Sequence, residues 1–209
     1  MYSDTQKTGI RKTLGILLGI IMVMLSLIFL NYVTRDVALS AEQAAKLGYI
    51  RFEQPRNVTV PRLVTAQDER VLPTHFQGQW DLLYFGFTAC PDICPTTLAV
   101  LNQALSTVEI PPRVHLVSVD PEQDTPAQLA RYLGGFNPDF LGVTGSHDQI
   151  TQLATQLNVA FGKVPGPELG SYTVDHTGSI VVLDKTGRYA GFIKAPHQPG
   201  QLQQIIAGL

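Results

Sequence analysis

The sequence predicts an α/β domain, a mixed sheet flanked by helices, carried behind one N-terminal transmembrane helix. Three observations lead there. An apolar, charge-free stretch opens the chain. Two short runs, 80–87 (WDLLYFGF) and 113–119 (RVHLVSV), have the composition of strands buried on both faces, and a helical pattern follows each. A hairpin signal and a last helical pattern close the chain.

The apolar stretch is 14–30, LGILLGIIMVMLSLIFL, and no charge falls between Lys12 and Arg35. At 1.5 Å per residue, about 20 residues cross the hydrocarbon core, so the stretch is long enough. Lys7, Arg11 and Lys12 precede it and Tyr32 lies near its far end. Basic flanks stay cytoplasmic, which puts the N-terminus inside and the folded domain on the exported, periplasmic side of the inner membrane. The competing reading is a cleaved signal peptide, with small residues at Ala38-Leu39-Ser40. The run exceeds the ~7–15 residues of a signal core, and Arg35 and Asp36 interrupt before the cleavage site, so an uncleaved anchor is expected.

The chain has 209 residues and a formal net charge of -2. Beyond the apolar stretch, about 150 residues suffice for one domain with one core. No long basic run is present, which argues against a nucleic-acid partner.

The remaining elements follow in order. Residues 35–57 are polar and Ala-rich and read as a stalk, partly helical. Residues 58–72 read as a short hairpin turning at Gln67-Asp68-Glu69. The strand at 80–87 ends on Thr88-Ala89-Cys90. Pro95 suits the first turn of a helix over 96–107. Asp120-Pro121 breaks the second strand. Thr125-Pro126 caps a helix to about Leu133, stopped by Gly134-Gly135, and Ser146 caps another through about Leu157. Residues 162–171 read as a Gly/Pro loop. Strands at 172–183 and 189–193 join through Asp184-Lys185-Thr186-Gly187, and a closing helix covers 201–207.

The two cysteines, Cys90 and Cys94, are the only ones in the chain. An exported domain can keep a disulfide. A bridge over three intervening residues closes so small a loop that it restricts the unfolded chain little, so chemistry explains the pair better than stability does. Their place between a buried strand and a helix start favours thiolates. Soft sulfur ligands favour copper(I) and zinc, and an added imidazole also admits copper(II). The methionines, Met1, Met22 and Met24, all lie in or before the apolar stretch. The following domain therefore has no thioether, which counts against blue-copper and oxidase-type binuclear sites. Five histidines remain. His115 alternates with Val117 and Val119 and reads as a packed strand residue. His75, His147 and His197 fall in loops or at a helix start. From spacing alone, His176 stands barely ahead of the others.

The run Gly86-Phe87-Thr88-Ala89-Cys90-Pro91-Asp92-Ile93-Cys94-Pro95-Thr96-Thr97 resembles the signature of the Sco/SenC family, copper-delivery proteins of cytochrome c oxidase assembly. Asp120-Pro121-Glu122-Gln123-Asp124-Thr125-Pro126 and Tyr172-Thr173-Val174-Asp175-His176-Thr177 resemble two further motifs in the same order. The resemblance covers residue 58 to the C-terminus and extends to a single N-terminal anchor. It implies a thioredoxin-like fold and a copper site of Cys90, Cys94 and His176, binding Cu(I) and Cu(II). It also implies an upstream copper donor and delivery to the binuclear centre of cytochrome c oxidase subunit II, or reduction of that subunit's cysteines through a Cys90–Cys94 redox disulfide. Gln123 departs from the pattern, where a basic residue is common. Asp92 and Asp175 flank the ligands, and read either as groups that tune them or as solvated carboxylates. Asp120 and Asp124 read as strand stop and helix cap. On this basis the chain divides into 1–34 (tail and anchor), 35–57 (stalk) and 58–209 (copper-binding domain).

Three readings compete. A metallochaperone without turnover leads. A thiol–disulfide oxidoreductase is second, though three intervening residues exceed the two of thioredoxins. A peroxidase is third, because Phe87-Thr88-Ala89-Cys90-Pro91 resembles peroxiredoxins, but with Thr two residues before the Cys where that family has it three before.

Overall fold

The computed structural model describes residues 4–33, 39–166 and 170–209. It divides into two units, 1–37 and 38–209. The first unit holds helix α1 (Asp4–Val33). Within it, Thr13–Leu30 has a mean hydropathy of 2.7, long and apolar enough to cross a membrane, and its large apolar side chains from Leu14 to Leu30 are exposed.

In the second unit, α2 (Ala41–Lys46) leads into β1 (Tyr49–Arg56). Ser40 and Gln43 close a reciprocal cap at the start of α2. Gly48, at φ 85°, makes the turn into the strand. Next come β2 (Val64–Thr65), a 3₁₀ turn (Pro73–Phe76), β3 (Asp81–Gly86), α3 (Ile93–Leu105), β4 (Arg113–Ser118), α4 (Pro126–Gly134), β5 (Leu141–Thr144) and α5 (His147–Gln156). The chain ends with β6 (Phe161–Pro165), β7 (Tyr172–His176), β8 (Ile180–Leu183), β9 (Tyr189–Ile193) and α6 (Pro199–Ala207).

Seven strands form one sheet in the order β1-β9-β8-β3-β4-β5-β2. β3, β4 and β5 run parallel, while β8, β9 and β1 add antiparallel on one side and β2 on the other. Every residue of β3 is buried, as its apolar composition requires of a central strand covered on both faces. Tyr84 pairs with Leu116 and Leu116 with Gly142, so these share a face. Leu129 and Leu133 of α4 close on that face over Gly142, and α3 packs there beside α6. On the other face, Leu83 and Leu183 share a crevice with Leu153 of α5. Thr125 and Ser146 cap α4 and α5 as expected.

Besides β5 (Leu141–Thr144), a strand the sequence reading did not place, the structure departs from that reading in three places. The stretch 35–57, read as a stalk, is helical at α2, but β1 then joins the sheet as an edge strand beside β9. Ala44 and Tyr49 are buried in the core. A half-exposed edge strand containing Pro55 has little apolar contrast, which is why composition reads it as a spacer. Residues 34–38 lie outside the described residues. The hairpin expected over 58–72 does turn at Gln67-Asp68-Glu69, closing through a Val64–Arg70 bridge, but β2 takes its ladder from β5. In the region 162–183, read as a loop and then one long strand, the described residues form a separate two-stranded sheet of β6 and β7, followed by β8, while 167–169 of the expected loop lie outside the described residues. Thr177-Gly178-Ser179 divide β7 from β8 because each has different partners.

A fragment beginning at residue 58 should unfold at lower denaturant than one beginning at residue 39. Losing Tyr49, Ala44 and an edge ladder should cost at least about 3 kcal/mol. Equal midpoints in urea would show that 39–57 is a spacer after all.

Candidate metal centre

The centre sits where β3 ends and α3 begins, at the carboxyl ends of the parallel strands. A ligand crevice is expected there in open α/β sheets. Cys90 lies in the connecting loop, half-buried, and Cys94 in the first turn of α3, fully buried; both are free thiols. Pro95 occupies the same first turn, where no intrahelical N–H is required. The Cys94 backbone N–H, one of the unpaired donors of that helix end, donates to Cys90 Sγ at 3.3 Å. His176 arrives from β7, and its Nε2 lies 3.5 Å from Cys94 Sγ. The three donor atoms lie within 4.8 Å of one another.

The two sulfurs are unequal. The Cys94 thiol donates to Cys90, which holds Cys90 well below the ordinary thiol range, and the backbone N–H groups of Cys94 and Asp92 add to this against desolvation. The same shared proton, with burial, pushes Cys94 up. The result is an accessible thiolate beside a buried, protonated partner.

The imidazole is oriented from behind. A carbonyl can only accept, so the 3.3 Å contact from His176 Nδ1 to the Thr177 carbonyl places the proton on Nδ1 and leaves the Nε2 lone pair facing Cys94. The rings of Tyr84 and Phe87 meet the imidazole edge to face at 5.9 and 6.1 Å. Two thiolates and an imidazole with a free lone pair are a donor set suited to copper.

The cysteine loop is pinned by a buried carboxylate. Asp124, 1% exposed, accepts from the Thr88 backbone N–H (3.1 Å), the Thr88 hydroxyl (2.6 Å) and the Ser118 hydroxyl (2.7 Å). Gln128 adds a bond to Thr88 Oγ1 at 3.1 Å. Asp124 therefore joins the end of β3 to the end of β4, a role that reading it as a cap missed. Gly86 was legible only as part of a motif. A Cβ there would meet Cys94 Sγ at 2.9 Å, so the strand must end on a glycine for the sulfur to fit.

The other histidines lie apart from this centre. His115 is buried, as its strand alternation predicts, and bonds Asp81 at 2.8 Å. Arg113 completes that pair with a two-pronged contact to Asp81 at 2.6 and 2.7 Å, at the opposite end of the strands. His75 bonds the backbone N–H of Leu72, and His147 is exposed. His197 bonds the Gly178 carbonyl, and burial lowers its pKa. The carboxylates of Asp92 and Asp175 are exposed, as solvated groups would be.

A family model described as SCO1/SenC matches residues 55–209. The mitochondrial SCO2 homolog of Bos taurus is 42% identical over 136 residues, 63% of this chain and 51% of that one. The chain spans about half the length of the mitochondrial relatives it matches. Among solved structures, Arabidopsis thaliana ScoI with copper bound is similar with a TM-score of 0.66 at 30% identity, covering 71% of this chain and 96% of that one. Bradyrhizobium japonicum ScoI with copper bound gives a TM-score of 0.62 at 32% identity, with the same coverage. The fold is thus the thioredoxin-like one of these proteins.

Gly86→Ala should destabilise the domain by about 1–3 kcal/mol, because Cys94 Sγ, Leu116 and Tyr84 all crowd the new methyl. It should also slow alkylation or oxidation chemistry that needs the native Cys90–Cys94 geometry. An unfolding midpoint unchanged from wild type would show that the space exists.

Proposed function

The chain belongs to the SCO1/SenC family, and from that premise we propose that it is a membrane-anchored copper chaperone serving cytochrome c oxidase. In this reading it takes copper from an upstream donor and delivers it to the binuclear copper centre of subunit II. The observation that carries the proposal is the convergence of Cys90, Cys94 and His176 within 4.8 Å, with both thiols free. The copper-bound relatives support the choice of metal. Copper is cargo here. Two thiolates hold Cu(I), and the imidazole extends the set to Cu(II). A site at a strand end, with Cys90 accessible, lets an incoming ligand replace an outgoing one.

The apolar helix α1 and the basic residues ahead of it support an N-terminus inside and the domain on the periplasmic side. A reporter fused after Leu209 should be active only on the exported side. Activity in the cytoplasm would reverse the assignment.

The inequality of the sulfurs favours a second reading. An accessible low-pKa Cys90 with a buried Cys94 behind it suits a thiol pair that reduces a disulfide. Cys90 would attack, Cys94 would resolve the mixed disulfide, and two electrons would pass to the target as the Cys90–Cys94 disulfide forms.

Copper titration of the reduced chain in detergent separates these readings. Wild type should bind about one copper, and Cys90→Ser or Cys94→Ser should each lose most of the affinity. His176→Ala should lose Cu(II) binding, keep weakened Cu(I) binding, and still form and release the disulfide. Full oxidase activity in a His176→Ala strain at limiting copper would sink the chaperone reading and promote the reductase.

A further inference from the structure

His176 stands on a hairpin that shares no ladder with the seven-stranded sheet among the described residues. Val174 seats in the core, and the Phe161 ring lies 5.5 Å from that of His147. Two polar side chains of the hairpin, Tyr172 and Lys163, reach the same segment, the turn after β4. The Tyr172 hydroxyl donates to the Asp120 carboxylate, 3.0 and 3.2 Å from its two oxygens. The same hydroxyl accepts from Gln123 Nε2 at 2.9 Å. Lys163 of β6 lies over the Tyr172 ring at 4.3 Å and reaches Glu122 at 2.6 Å.

These contacts differ in weight. Lys163 and Glu122 are largely exposed, and a surface ion pair contributes little. Asp120 is 1% exposed, and a buried carboxylate that loses a donor is costly. Asp120 is also rigidly placed. Its N–H donates to Ser118 Oγ at 3.1 Å, and its carbonyl accepts from the Asp124 N–H at 2.9 Å. Asp124 in turn holds Thr88, two residues before Cys90. The cysteine loop and the histidine hairpin are therefore both tied to one turn.

We infer that Tyr172 is a positioning residue, its hydroxyl clasped between Asp120 and Gln123 so that the β6–β7 hairpin holds His176 beside the two sulfurs. Tyr172 and His176 lie at opposite ends of β7, and a strand of this length is a stiff lever of roughly 13 Å. Gln123, the departure from the family pattern, becomes part of the clasp: its amide donates to the tyrosine oxygen, which in turn donates to Asp120. The consequence for copper rests on the chaperone reading, while the latch itself does not.

Tyr172→Phe removes one oxygen and keeps the ring under Lys163. Hydrogen exchange on the metal-free full chain in detergent should show the β6–β7 amides exchanging roughly tenfold to a hundredfold faster, with β3, β4 and β8 unchanged. With copper, the variant should bind Cu(II) about tenfold more weakly and lose nitrogen hyperfine coupling in its electron paramagnetic resonance spectrum, while Cu(I) affinity changes less than threefold. Unchanged hairpin exchange overturns the latch, as does equal loosening of the main sheet, which would mark Tyr172 as a general stabiliser. Faster hairpin exchange with Cu(II) binding intact overturns the positioning role. A wild-type chain that binds no copper sinks the chaperone reading instead, and the exchange result still decides the latch.

Discussion

The architecture around the centre depends on the need of one buried carboxylate for donors. Asp124 is removed from water, and an isolated charge there would be prohibitively costly. It is satisfied by the Thr88 backbone N–H, the Thr88 hydroxyl and the Ser118 hydroxyl, groups from the ends of two neighbouring parallel strands. That requirement sets where β3 stops, how the loop to Cys90 leaves the sheet, and where the β4–α4 turn lies. Helix α3 then begins with Cys94 against Gly86, and its first amides face Cys90.

The sheet divides its labour between its ends. At the amino end of β3 and β4, Asp81 holds the half-buried Arg113 and the buried His115, whose Nδ1 has no hydrogen-bond partner among the described residues. At the carboxyl end, polar groups are held in tension between structure and chemistry. The sulfurs share a proton, the imidazole presents a lone pair, and aromatic rings wall the site. Backbone N–H groups at a helix start stabilise a thiolate without supplying a competing side-chain ligand. The same arrangement suits either of the two chemistries proposed above, ligand exchange at a metal or attack on a disulfide, and only the first would use His176 as a donor.

Much of the site was legible because the relevant physics is local. Cys90 and Cys94 are spaced by a loop-to-helix junction that announces itself through a buried strand, a Pro and a helical pattern. Their closeness in the fold follows from that spacing. His176 was not legible in the same way. Its spacing put it barely ahead of His147 or His197, and its match to a family motif singled it out. Asp120 and Asp124 look like strand breakers and caps, and Asp124 does open the turn before α4. Their bonds to Thr88 and Tyr172 span 36 and 52 residues, respectively, beyond the reach of any periodicity.

By itself the sequence determined the apolar helix, the central buried strands, the caps at Ser146 and Thr125, the β8–β9 turn and the dithiol, because each rests on hydrophobic period or short-range hydrogen bonding. Tertiary structure decided what depends on partners distant in the chain. It recruited 49–56 to the sheet as an edge strand, since an edge needs only one hydrogen-bonded neighbour and little apolar contrast. It cut the run 172–183 in two, because β7 pairs with β6 while β8 pairs with β3 and β9. And it carried His176 across 82 residues to within 3.5 Å of Cys94, a distance set by the packing of the hairpin and by no local propensity.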